Sequence, residues 1–169
     1  MAPPCRYQRS VLLDAPPEQV FHFHEDPRNI RQISPPFLTA QVQRASPAAR
    51  VGEEFALALG LFGVPLVQWI GVWCEVEPGR LLVDEARKSP FAFFHHEHRF
   101  DPVEPDGNSS RQRTRMTDRV TYRLASGWLG KVLGETVLRA QWALAFADRH
   151  RRTRRWAAEQ ATSGSDLVK

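Results

Sequence analysis

The period of hydrophobic and polar positions changes twice along this chain. Residues 6–13, RYQRSVLL, read as a first strand. DAPPEQVFHF follows, with prolines where a first helical turn tolerates them, and predicts a short helix over about 17–24. Asp26-Pro27 breaks it, PRNIRQIS predicts a second short helix, and Ser34-Pro35-Pro36 ends that one. From LTAQVQRA onward the pattern is that of strands, apolar and polar residues alternating as on a half-buried sheet. EEFALALGLF, LVQWIGVWCEVE, RLLVDEARK, FAFFHHEHRFDPV and RTRMTDRVTYRL follow in turn. Turn signals separate them at Gly63-Val64-Pro65, Pro78-Gly79, Ser89-Pro90 and Asp106-Gly107-Asn108. Consecutive strands on short turns imply an antiparallel meander.

The second change comes at GWLGKVLGETVLRAQWALAFADRHRRTRRW, which predicts one long amphipathic helix. Leu133, Val137 and Leu144 are expected on its apolar side, with Leu138 and Trp142 beside them and Glu135 and Arg139 opposite. Gly130 and Gly134 fall near that side, leaving either room for a ligand or a close helix–sheet approach. The expected fold is α+β: a curved antiparallel sheet wrapped around a long C-terminal helix, with two short helices after the first strand. One domain over 1–160 is expected, with 161–169 a disordered tail.

Composition narrows the class. With 42% hydrophobic and 25% charged residues, the chain reads as a soluble globular domain. No apolar run is long enough for stable membrane insertion, and none near the start reads as a signal peptide. Cys5 and Cys74 are too few for a disulfide framework, so a cytoplasmic location is expected. The net charge of +4 is concentrated at Arg111, Arg113 and Arg115 and at Arg149, Arg151, Arg152, Arg154 and Arg155. Without a nucleic-acid motif beside it, this charge reads as a solvated surface and helix end, and no nucleic-acid partner is expected.

The order of elements resembles the START-like, or SRPBCC, superfamily and its helix-grip fold. The resemblance covers about residues 6–155 and is carried by VLLDAPPEQVFHFHEDPRN, EVEPGRLLVDE, SPFAFFHHEHRFDPV and MTDRVTYRL. HEHRF followed by TDRVTYRL looks like a bacterial subgroup of unsettled chemistry within a group that includes polyketide cyclase/dehydrase-like, lipid-transfer and coenzyme Q-binding proteins. It implies an internal hydrophobic cavity and a lipid, isoprenoid or polyketide guest. It does not imply a single reaction.

Candidate chemistry follows from the strand period. Alternate residues share a face, so Phe94, His96, His98 and Phe100 point inward, while Phe93, His95, Glu97 and Arg99 point outward. In the next strand Asp118 travels with Met116, Val120, Tyr122 and Leu124. Asp84 shares a face with Leu82, but Leu81 and Val83 make its side ambiguous. The expected ligand-binding set is Asp84, Phe94, His96, His98, Phe100, Asp118, Tyr122 and Leu124. If consecutive strands pair, Asp118 approaches His96 or His98.

Several readings stay open at this point. The histidines and Asp118 form a purely structural network, orient an apolar guest, or act as acid and base in a cyclase or dehydrase, with His96, His98 and Asp118 as the candidate catalytic groups. Histidines at i and i+2 can also chelate a metal, but no third ligand is fixed, so neither metal nor cofactor is expected. An interaction module without a ligand is a further alternative. His22 and His24 do not share a helix face and read as surface or loop groups. Trp69 and Trp73 lie on one strand face, as core or as a homodimer contact.

Overall fold

The structure, a computed structural model, describes residues 3–104, 112–125 and 127–163. Strand β1 (Cys5–Leu13) leads into helix α1 (Pro17–Glu25), a single 3₁₀ turn (Pro27–Asn29) and the short helix α2 (Ile30–Ile33). Six strands follow: β2 (Leu38–Arg44), β3 (Glu54–Leu61), β4 (Val64–Glu77), β5 (Leu81–Lys88), β6 (Phe93–Val103) and β7 (Arg113–Arg123). The chain closes with α3 (Gly127–Leu133), a π-helical segment (Gly134–Leu138) and α4 (Arg139–Ser163). Pro17 opens α1, where its missing N–H costs no hydrogen bond. The Asp26 carboxylate accepts from the Arg28 backbone N–H at 3.0 Å and caps the 3₁₀ turn.

All seven strands form one antiparallel sheet in the order β1-β7-β6-β5-β4-β3-β2. The meander from β2 to β7 is as the sequence predicts. The first strand, separated from β2 by two helices, completes the opposite edge by pairing with β7, Cys5 opposite Tyr122 and Leu13 opposite Thr114. Register shifts at Val42/Arg44, Leu59/Gly60, Ile70/Gly71 and Trp73/Glu75 bend the β2–β5 half of the sheet. At the second of these, a Cβ on Gly60 would lie 1.8 Å from the Val64 carbonyl oxygen. The turn between β3 and β4 falls at Phe62 and Gly63, both at positive φ, one residue ahead of the predicted position. The Asp106-Gly107-Asn108 turn lies outside the described residues.

The C-terminal helix lies across the sheet. Phe146 packs on Tyr7 with ring centroids 5.5 Å apart, and Arg154 Nε donates to the Leu12 carbonyl at 3.4 Å. The helix is not continuous α-helix as expected. In the π segment the Gly134 carbonyl accepts a 2.6 Å hydrogen bond from the Tyr122 hydroxyl. A Cβ at Gly134 would stand 2.8 Å from Cys5 Sγ, so this glycine serves a close approach and not ligand space. Leu133, Val137 and Leu144 lie on the outward side of the helix, 42%, 61% and 74% exposed, not buried as predicted. Trp142, Phe146 and Arg149 face the sheet instead, at i, i+4 and i+7. The helix runs through Ser163, beyond the predicted start of the tail, and residues 164–169 lie outside the described residues. No described helix is long and apolar enough to cross a membrane.

Candidate functional site

Strands β5, β6 and β7 set a row of polar side chains into an apolar surface. Burial alternates along β6 and β7, so Phe94, His96, His98 and Phe100 are buried, as are Thr114, Met116, Asp118, Val120 and Tyr122. The sheet register then pairs Asp84 with His96 and His98 with Asp118. Asp84 is inside, although Leu81, Leu82 and Val83 beside it are buried too, because β5 is covered on both faces at this end.

Asp118, fully inaccessible, is the centre of this row. His96 Nε2 donates to its Oδ1 at 3.1 Å. His98 Nδ1 lies 2.6 Å from the same oxygen, out of line for a hydrogen bond. Its other oxygen, Oδ2, accepts from His150 Nε2 on α4. Asp84 Oδ2 stands 3.7 Å from His96 Nδ1, beyond hydrogen-bond length. On the far side His24, from α1, places its ring 5.4 Å from that of His98. His24 Nδ1 donates to the Val20 carbonyl at 2.8 Å, which leaves Nε2 carrying the lone pair and, among the described residues, without a partner.

Burial and these contacts decide the charges. Burial alone pushes the Asp118 carboxyl up, but the neighbouring His98 and the hydrogen bonds from His150 and His96 outweigh it and hold Asp118 well below the usual carboxylate range. Burial, with His96 adding to it, pushes His98 well below the ordinary imidazole value. The same effect, helped by Arg149, takes His24 down to about 4. Burial raises Asp84, against the opposing influence of His96 and Arg149. At neutral pH the set holds an ionised Asp118 among histidines of which His24 and His98 are neutral.

A cavity of about 200 Å³ opens beside this row. Its apolar walls are Phe55, Leu57, Trp69, Trp73 and Phe94 from the sheet and Trp142 and Phe146 from α4. Its polar end carries His24, Asp84, His96, His98 and Arg149, and residues from Asp26 to Pro35 form the side toward α2. Of the predicted set, Asp84, Phe94, His96 and His98 reach the cavity wall. Phe100, Asp118 and Tyr122 are buried away from it: Phe100 packs on Phe21, Asp118 lies under the histidines, and Tyr122 is held by Gly134. Leu124 lies past the end of β7 and packs toward Gly130. Trp69 and Trp73 are buried cavity wall.

Two functional groups escape a reading of the sequence. His24 is buried in the site and not a surface group, and its spacing from buried Val20, i and i+4 on α1, was the available signal. His150 sits in DRHRRTRR, where a polar, cationic run gives no sign that one imidazole turns inward to Asp118.

A family model described as polyketide cyclase / dehydrase and lipid transport matches residues 4–155. Among solved structures, protein CV1439 of Chromobacterium violaceum is similar at TM-score 0.70 and 14% identity, over 90% of this chain and 96% of that one. The Zhui aromatase/cyclase of a Streptomyces species is similar at TM-score 0.69 and 14% identity, over 94% and 96%. A truncated norcoclaurine synthase from Thalictrum flavum is similar at 0.62 and 9%, over 89% and 94%. At these identities the likeness concerns the fold. No curated protein matches the chain. The fold is the helix grip, and by its match over residues 4–155 the chain belongs to the polyketide cyclase/dehydrase and lipid-transport family.

Proposed function

We propose that the protein binds a small hydrophobic molecule between the sheet and the C-terminal helix, with an apolar body among the aromatic walls and a polar end at His96 and His98. The observation that carries this reading is the cavity: an aromatic and aliphatic wall with His24, Asp84, His96 and His98 clustered in one part of it. Its volume of about 200 Å³ sets the scale of the guest. An apolar cavity of roughly 150 Å³ accepts benzene, so the enclosed part of the guest is one or two rings or a short branched chain. An isoprenoid, an aromatic polyketide or a lipid-like molecule fits if its remainder extends past the α2 side.

Trp69, Trp73 and Trp142 line the cavity, so binding is read directly from tryptophan fluorescence. Titration with a naphthalene-sulfonate dye should give saturable, one-to-one quenching, competed by prenylated quinones or by aromatic polyketides. Dye binding that persists after the cavity is filled by Ala145→Phe would sink the proposal.

A second reading has its own support. The ionised Asp118 holds His96 by a hydrogen bond, and His96 faces the cavity. A His–Asp pair so placed can take a proton from a guest carbon or return one to a leaving hydroxyl, as in a cyclisation with loss of water. Two of the similar structures are named as an aromatase/cyclase and as a synthase. If the protein is an enzyme, His96→Gln abolishes dehydration of a polyketide guest while dye affinity stays within a few-fold. A guest recovered unchanged from the wild type after long incubation speaks for binding alone.

A further inference from the structure

The polar end of the cavity has an unbalanced arrangement. His96 Nε2 is hydrogen-bonded to Asp118 Oδ1, which turns the other ring nitrogen, Nδ1, toward Asp84. Nδ1 and Asp84 Oδ2 stand 3.7 Å apart on one cavity wall, too far for a hydrogen bond. Arg149, on α4, lines the same cavity as Asp84. A self-contained network would join its donors to its acceptors. This one leaves His96 Nδ1 and Asp84 Oδ2 facing each other without a bond between them.

We propose that Asp84, His96 and His98 form a binding site for a divalent transition cation of the zinc or ferrous kind. One ligand atom from each lies within 4.8 Å of the other two, and all three residues are buried. Ligands about 2.1 Å from one cation stand roughly 3.4 Å apart at the tetrahedral angle. The His96–Asp84 separation of 3.7 Å is close to that, and no pair of the three ligand atoms is wider than 4.8 Å. Two imidazoles and one carboxylate suit zinc or ferrous iron, with the remaining coordination positions turned to the cavity.

Two further observations point the same way. Asp118 sits behind the histidines as a carboxylate accepting an imidazole N–H, the arrangement that fixes a metal-binding histidine in its tautomer. His24, beside His98, has the same preparation: Nδ1–H goes to a backbone carbonyl, and the buried Nε2 lone pair is left without a partner among the described residues. The sequence alone did not fix a third ligand. The β5–β6 register supplies it by setting Asp84 opposite His96.

The test uses the full chain, stripped with a chelator and titrated calorimetrically with zinc chloride and no organic guest, so its outcome is independent of the hydrophobic ligand. One equivalent should bind saturably and raise the unfolding temperature. Cobalt(II) should give ligand-field absorption bands of a nitrogen and oxygen site. Asp84→Asn and His98→Gln should each abolish saturable uptake. Asp118→Asn should weaken it roughly 10- to 100-fold, and the outer-face change His95→Gln should leave it unchanged. Circular dichroism establishes that each variant is folded. The cobalt spectrum of the wild type stands as the readout if a ligand variant is not. Failure of the wild type to take up either metal stoichiometrically overturns the proposal, as does uptake that survives in folded Asp84→Asn and His98→Gln.

Discussion

At the scale of single residues, Asp118 holds the polar row together. Removing its charge while keeping its shape, as in Asp118→Asn, leaves His96 and His150 donating to a weaker acceptor in a site closed to water. Breaking such a buried pairing costs about 3–5 kcal/mol, to be read from urea unfolding; a loss below about 1 kcal/mol would mean that the histidines do not depend on it. His24 gives a pH signature. Its folded value of about 4 lies below the 6.5 of an ordinary imidazole, so the unfolded chain binds the extra proton first. Stability is therefore full above pH 6.5 and falls as pH drops toward 4, by about 3 kcal/mol from this residue, with His98 adding to the same slope. The Asp118 contribution is lost at still lower pH, as that carboxylate protonates. His24→Phe in chelator-treated protein should flatten the slope between pH 6.5 and 4, and an unchanged slope would count against a neutral, buried His24. The strand period makes His96, His98 and Asp118 legible in the sequence because alternation on β6 and β7 leaves each residue one of two faces. His150 is not legible, because its inward turn depends on where α4 crosses the sheet.

At the scale of elements, the sheet was readable from alternation and turn residues, and the C-terminal helix only in part. Leu133, Val137 and Leu144 form one apolar stripe, but apolar residues occur on both sides of this helix, and the sheet meets the row of Trp142, Phe146 and Arg149 instead. Tyr122 anchors the π segment through Gly134, whose carbonyl also accepts the Arg139 N–H, so Tyr122→Phe removes one of two donors and should cost about 0.5–1.5 kcal/mol. The position of β1 beside β7 was also outside local pattern, since edge pairing across the whole chain is a property of closure, not of sequence neighbours. Bending at β4 depends on Gly71, where a Cβ would come within 2.2 Å of the Phe55 ring, itself a cavity wall. Gly71→Ala should push that ring toward the cavity, destabilise the fold by about 1–3 kcal/mol and weaken dye binding together, as overpacking does. Loss of stability with unaltered dye affinity would separate the bend from the site.

At the scale of the whole molecule, curvature of the sheet and the crossing of one helix leave a space that neither element fills alone. Strands β3 and β4, with Phe94 of β6, supply aromatic wall, the β5–β7 half supplies the polar row, and α4 closes the opposite side. The family and the fold agree with that arrangement, and the proposed guest sits in that space. Native mass spectrometry of the protein as purified, followed by organic extraction, tests it most directly. The expected result is a one-to-one adduct in the wild type, released as a small apolar molecule bearing at least one oxygen and absent from folded Ala145→Phe. An apolar adduct carried equally by wild type and folded Ala145→Phe, or a wild type that neither carries a guest nor takes one up from a mixed lipid and polyketide extract, would contradict it.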